Sequence, residues 1–199
     1  MSTDDELLAA WRAGDRAAGD ELVSRHFDAL CRFFRSKVGR GIEDLVQRTF
    51  LDCLESLESV RGPSFRAYLF GVARNRLIDE LRRTLGAGEV VDIESEPIAS
   101  MATSPSKAVA RTQQERLLLQ AMQELPLDLQ ITLELAYWEG LSGREIAAIL
   151  QIPENTVRSR LTRARDKLRA QLEALASSPE LLTATLSVLE RRARGSAPL

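Results

Sequence analysis

The chain has 199 residues, 44% of them hydrophobic and 28% charged, with a formal net charge of −2. That balance fits a soluble globular protein and argues against one that coats nucleic acid through bulk positive charge. No apolar run approaches the ~20 residues that span a bilayer, and the acidic start MSTDDELL is no secretory signal, so a cytoplasmic protein without membrane insertion is expected.

Aromatic residues make up only 5% of the chain, alternating β-branched runs are missing, and Ala, Leu, Arg and Glu abound, which predicts an all-α fold. Thr3 and Glu6 form a capping-box start for a first helix to about Arg12, with Leu7, Leu8 and Trp11 inward. Gly14-Asp15 breaks it. A longer helix from about Ala17 to Val38 places Leu22, Val23, Phe27, Leu30, Phe33 and Phe34 in a core, with His26 and Cys31 beside them. After a turn at Gly39 and Gly41, Asp44 to Ser59 reads as a third helix. Leu45, Val46, Phe50, Cys53, Leu54 and Leu57 face its core side, and Asp44, Gln47, Arg48 and Asp52 its other surfaces.

Glu58 to Ser64 is a loop, with Gly62-Pro63 as its turn and Ser64 as a cap for the next helix. That helix, Phe65 to Arg83, begins apolar nearly all round. In its second half Phe70, Leu77, Ile78 and Leu81 share one side, and Asn75, Arg76, Asp79, Arg82 and Arg83 the other. Five Arg against two acids give it a charge of +3. From Thr84 to about Lys107 the periodicity dissolves into a flexible linker rich in Gly, Pro and Ser and made acidic by Glu89, Asp92, Glu94 and Glu96.

Helices are expected over Ala108 to Leu125 and Leu127 to Trp138, and Gly140 turns the chain into SGREIAAIL, QIPEN and TVRSRLTRARDKLR, a helix-turn-helix. Ser142 with Glu145 is a capping box. Pro153 and Asn155 end the first helix, and Asn155 or Thr156 caps the second. Val157, Leu161, Ala164 and Leu168 form the apolar stripe of that second helix. Its other faces carry six positive residues against Asp166 alone, a local +5. Ser159 and Thr162 lie opposite the stripe, with Arg158 and Arg163 beside them. A major-groove reading helix needs this pattern of short polar and Arg side chains toward base edges and flanking cations on phosphates. Ser178-Pro179 starts a last amphipathic segment, Glu180 to Arg191, with Leu182, Leu186 and Leu189 on one face.

One histidine and two separated cysteines offer no metal-ligand spacing, and no phosphate loop, nucleophile elbow or triad pattern appears. Neither a metal, a cofactor nor a catalytic centre is expected.

Leu125 to Leu168 resembles the C-terminal DNA-binding domain of bacterial extracytoplasmic-function (ECF) sigma factors, through EIA, then IP, then TVRSRL and RAR. Gln151 stands where that family often has Gly. The resemblance extends over about Leu7 to Glu173. It implies two small helical domains, a sigma domain two over 1–85 and a sigma domain four over 108–176, with a linker at 86–107 and a tail at 177–199. It implies that DLVQRTF docks on the clamp helices of the RNA polymerase β′ subunit, with Asp44, Gln47 and Arg48 at the interface. The helix from Phe65 is then the segment that melts and reads the minus-ten promoter element. A flipped base would enter a pocket at Ser59 to Ser64 with Asn75, involving Arg61 and Ser64, and the separated strand would run along Arg74, Arg76, Arg82 and Arg83. The minus-thirty-five element falls to Thr156, Arg158, Ser159, Arg160, Thr162, Arg163 and Arg165. The implied partners are core RNA polymerase, promoter DNA and an anti-sigma factor. A free-standing helix-turn-helix regulator and a sigma mimic that sequesters an anti-sigma factor are the rival readings.

Overall fold

Among the described residues, three helix starts are closed by reciprocal capping boxes. The computed structural model describes residues 2–55, 64–85, 93–100 and 112–195. Thr3 accepts from the Glu6 N–H while Glu6 accepts from the Thr3 N–H at 2.7 Å, opening α1 (Asp4–Arg12). Asp15, expected only to break the chain, accepts from the N–H groups of Ala17 and Ala18 and starts α2 (Arg16–Arg35). Gly41, at a φ of 72°, leads into α3 (Ile42–Glu55), which begins two residues before the expected Asp44. Ser64 accepts from the Ala67 N–H and caps α4 (Phe65–Leu85).

Thr112 with Glu115 forms a capping box that opens α5 (Gln113–Gln123), while residues 108–111, expected in the same helix, lie outside the described residues. Then come α6 (Leu127–Tyr137), α7 (Gly143–Leu150), α8 (Glu154–Leu175) and α9 (Pro179–Gly195). Helix α2 stops at Arg35, three residues before the expected Val38. Helix α8 starts at Pro153-Glu154, where Pro at the cap presets the backbone, so Asn155 and Thr156 lie in its first turn and do not cap it. Among the described residues no helix is long and apolar enough to cross a membrane.

Helices α1 to α4 build one helical unit. Leu22, Leu30 and Phe34 of α2, Val46 and Cys53 of α3, and Phe65, Leu69, Phe70, Leu77 and Leu81 of α4 form its buried interior. The rings of Phe33 and Phe70 meet edge to face, centroids 5.6 Å apart, an arrangement favoured by the aromatic quadrupole. Gly19 is required there, because a Cβ would lie 2.4 Å from the indole nitrogen of Trp11. Helices α5 to α8 form the second unit around Leu125, Leu127, Leu133, Leu135, Ile146, Val157, Leu161 and Leu168. Helix α9 packs on α5 and α6, with Leu189 buried and Leu182 and Leu186 partly so.

The expected core differs at two positions. Phe27 is 43% exposed and Leu54 39% exposed, since each lies off the stripe its helix turns inward. Residues 56–63, with Leu57 and Arg61, fall outside the described residues.

Two 3₁₀ turns, Ile93–Ser95 and Ile98–Ser100, lie between the units, within the stretch read as a bare tether. Ile98 is fully buried, the Leu127 N–H donates to the Glu96 carbonyl at 3.0 Å, and Pro97 pairs with Pro126. One buried apolar residue, one backbone hydrogen bond and the Arg74–Glu94 ion pair hold this segment on the two units.

Burial pushes the Cys53 thiol up to about 12 and raises that of Cys31. The thiolate is the reactive species, so native protein at neutral pH should resist a maleimide at both cysteines for minutes, while denatured protein takes two labels. Intact mass spectrometry reads this, and fast native labelling would mean that the core is open.

Candidate nucleic-acid interface

The helix-turn-helix is held by short-range bonds. Glu145 Oε2 accepts from the Ser142 N–H and from its hydroxyl, both at 2.8 Å, and the Glu145 N–H donates back to Ser142 Oγ. Gly140, at a φ of 62°, makes the entry turn in a region where side chains are strained. Helix α7 closes at Gln151, which adopts a left-handed φ of 54° and ψ of 42°, and the Ile152 N–H returns to the Ala147 carbonyl. The family's usual Gly would adopt that conformation without the Cβ penalty of roughly 1 kcal/mol or more. Gln151 holds it nonetheless, because the turn is fixed on both sides by packed helices.

Val157, Leu161, Ala164, Leu168 and Leu172 bury one stripe of α8. Arg158, Ser159, Thr162, Arg163 and Arg165 are exposed on the remaining faces, while Thr156 and Arg160 are partly buried. Arg160 is drawn toward Asp128 of α6 at 3.5 Å and ties α8 to its neighbour. Burial raises the Asp128 carboxyl, against the pull of Arg160. Ser159 and Thr162 donate back to the carbonyls of Thr156 and Arg158. These local bonds orient both hydroxyls on the helix surface. Arg165 reaches back to the Leu161 carbonyl, and Arg158 meets Glu154 at 3.4 Å. All seven residues therefore share one helix, five of them open to solvent.

The second basic set lies on α4. Asn75 and Arg82 are exposed, and Arg83 pairs with Glu80 one turn back. Arg76 makes a two-point pair with Asp52 of α3. Both Nη2 contacts of Arg74 go to Glu94 of the docked segment at 2.7 Å. Ser64 donates to Glu145 Oε1 at 2.6 Å. In this arrangement Ser64, Arg74 and Arg76 are engaged by carboxylates, whereas Asn75 and Arg82 face solvent. Arg61 lies outside the described residues.

On α3, Asp44 and Arg48 are exposed and pair with each other at 3.0 Å, with Gln47 exposed beside them. Leu51, 47% exposed, and Leu54 continue the same face. Apolar identity alone places Leu54 inward and gives Leu51 no role, whereas both face out. The missed signal was angular: at 100° per residue Leu51 falls within about 20° of Asp44 and opposite the stripe of Leu45, Val46 and Phe50.

Comparisons with known proteins agree with this geometry. The family model described as Sigma-70 region 2 matches residues 22–85, and that described as Sigma-70, region 4 matches residues 115–168. The ECF RNA polymerase sigma-E factor of Haemophilus influenzae is 31% identical over 183 residues, covering 87% of this chain and 97% of that protein. The RNA polymerase sigma-H factor of Pseudomonas aeruginosa is 31% identical over 185 residues, covering 86% and 95%. The solved structure of CnrH in complex with the cytosolic domain of CnrY superposes with a TM-score of 0.66 at 26% identity, covering 87% of this chain and 99% of CnrH. That of the sigma factor RpoE with the anti-sigma factor NepR from Bartonella quintana gives 0.59 at 26% identity, covering 79% and 98%.

Removing the Ser142 hydroxyl should be felt at once. Ser142→Ala is expected to cost about 1 kcal/mol, a fall of about 2–4 °C in melting temperature for a chain of this size. Ser142→Gly, which lets solvent reach the freed N–H groups, should lose only a few tenths of a kcal/mol. Calorimetry on both variants checks the cap, and equal losses would rule it out.

Proposed function

The chain belongs to the extracytoplasmic-function (ECF) RNA polymerase sigma factors, and on that premise we propose how its surfaces divide the work of initiation. Helix α3 docks on core polymerase through Asp44, Gln47 and Arg48, with Leu51 and Leu54 as apolar anchors. The α4 face with Ser64, Arg74, Asn75, Arg76, Arg82 and Arg83, together with Arg61, opens and reads the minus-ten element. Helix α8 enters the major groove at the minus-thirty-five element through Thr156, Arg158, Ser159, Thr162 and Arg163, with Arg160 and Arg165 toward phosphates. Catalysis belongs to the polymerase, so the chain itself is not an enzyme. An anti-sigma factor is its expected regulator, by analogy with the RpoE–NepR complex.

The observation that carries this reading is the outward face of α3. Two exposed leucines beside a polar pair and an amide are what a docking surface needs, and a free-standing regulator has no use for them. The exposed Arg158, Ser159, Thr162 and Arg163 argue equally against a mimic that never meets DNA.

In-vitro transcription on genomic promoter fragments, with core polymerase and with or without this protein, is the direct test. New discrete start sites should appear only when it is added. Specific DNA binding by the chain alone, with no new transcripts, would instead establish an ordinary regulator. Arg158→Ala should change the ranking of promoters, because an Arg on a base edge is worth about 1–3 kcal/mol of discrimination. A uniform loss on all promoters would make Arg158 a phosphate contact.

Leu51→Glu should lower affinity for core polymerase tenfold or more with unchanged helicity, since the site is solvent-facing in the free protein. Undiminished co-purification with polymerase would remove α3 from the interface.

A further inference from the structure

Between α2, α5, α6 and α9 lies a cavity of about 640 Å³ that no part of the sigma-factor reading uses. Apolar side chains make much of its wall: Phe33 of α2, Leu118 and Met122 of α5, Trp138 after α6 and Val188 of α9. The first three are buried, and Trp138 and Val188 are half-buried. Helix α9, which closes one side, lies beyond the matched residues 22–85 and 115–168. A space of this size takes a small organic molecule.

The charges around the cavity are unequal. Arg32 and Arg35 from α2 and Arg191 and Arg192 from α9 ring it. Glu115, Glu134 and Glu139 also line it, yet each is already engaged. Glu134 accepts from Lys37, Ser36 and Gln130, Glu139 from Arg66 at 2.6 Å, and Glu115 from the Thr112 N–H at 3.2 Å. Arg32 stands 3.5 Å from Glu139. Arg35 and Arg191 are exposed, with no ion pair among the described residues. Arg192 lies over the Trp138 indole, 5.0 Å from the ring centre, a cation–π contact that sets its direction. Burial and the neighbouring Arg32 hold the Arg192 guanidinium below its usual value, against the pull of Glu115 and Glu139. Two like charges close enough to repel thus border one space, and an anion between them relieves that repulsion.

We propose that this cavity binds an amphipathic carboxylate, its hydrocarbon body seated among Phe33, Leu118, Met122, Trp138 and Val188 and its charged end held by Arg32 and Arg192. Such a site lies beyond the sigma-factor reading above and does not depend on it.

The lining selects this class of ligand. Arginine presents a planar fork of donors that meets a carboxylate at two points. The polar atoms of Ser36 and Glu134 are bonded to each other, so the body of the ligand gains more from apolar contact than from hydrogen bonds. A cation of the same shape would face the arginines and be repelled. The site also gives α9 a task, since Val188, Arg191 and Arg192 come from that helix alone.

Calorimetric titration of the full chain with dodecanoate, kept below its micelle concentration, tests the site without polymerase or promoter. Dodecanoate should bind at a single site, and dodecylammonium and dodecanol should each bind more weakly by about tenfold or more. Neutralising both exposed arginines, Arg32→Gln with Arg192→Gln, should weaken dodecanoate by about tenfold or more while leaving dodecanol unchanged. Ala184→Trp adds an indole from the α9 wall of the cavity and should abolish binding, with the helicity of the free chain unchanged. Dodecanoate should raise the melting temperature of wild type, as a ligand of the native state must, and leave that of Ala184→Trp where it was. Equal affinity for all three probes, or no loss in the double arginine variant, would overturn the carboxylate assignment. Absence of binding to wild type, or binding that survives Ala184→Trp, would overturn the site itself.

Discussion

One carboxylate serves the start of two helices. Glu145 closes the capping box of α7 and accepts the hydroxyl of Ser64, which caps α4. Both helix N-termini present unpaired N–H groups and the positive end of a dipole; the Ser64 and Ser142 hydroxyls each accept one first-turn N–H, and the Glu145 carboxylate accepts from both hydroxyls. Burial would raise this carboxyl, but Ser64, the backbone and hydroxyl of Ser142, and nearby Arg66 together hold it below the usual range. The same two units also meet through Lys37 with Glu134 and through Arg66 with Glu139.

The same geometry explains why a weakly acidic protein carries two concentrated basic faces. On α4 the cations are matched in place by Asp52, Glu80 and Glu94. On α8 partner acids are sparser and most of the arginines point to solvent. Neutralisation by carboxylates of the same chain lowers the affinity of α4 for any stray phosphate backbone. It lessens on α4 the nonspecific binding that dense positive charge brings. Contacts made in the holoenzyme would then have to displace acids as well as water.

Most of the helix set was legible from residues alone because its causes are local. The boxes at Thr3 and Ser142 and the caps at Ser64 and Ser178 act over two or three residues, and the α8 stripe of Val157, Leu161, Ala164 and Leu168 is set by the helical repeat. The box at Thr112 is equally local and readable from Thr112 and Glu115 alone. Phe27 and Leu54 were misassigned because apolar identity was weighted above angle on the wheel.

By itself, the sequence determined helix type, the turn at Gly140, the capped helix-turn-helix and the residues that share each face, since hydrogen bonds and side-chain neighbours three or four positions apart settle these. Only the tertiary structure decided that Lys37 is buried on Glu134, that Arg74 is held by Glu94, that Ile98 anchors the segment between the domains and that Leu51 is left open to solvent. Lys37 and Glu134 lie 97 positions apart. No helical period relates them, and a lysine destined for water looks the same along the chain as one that a docked helix will cover.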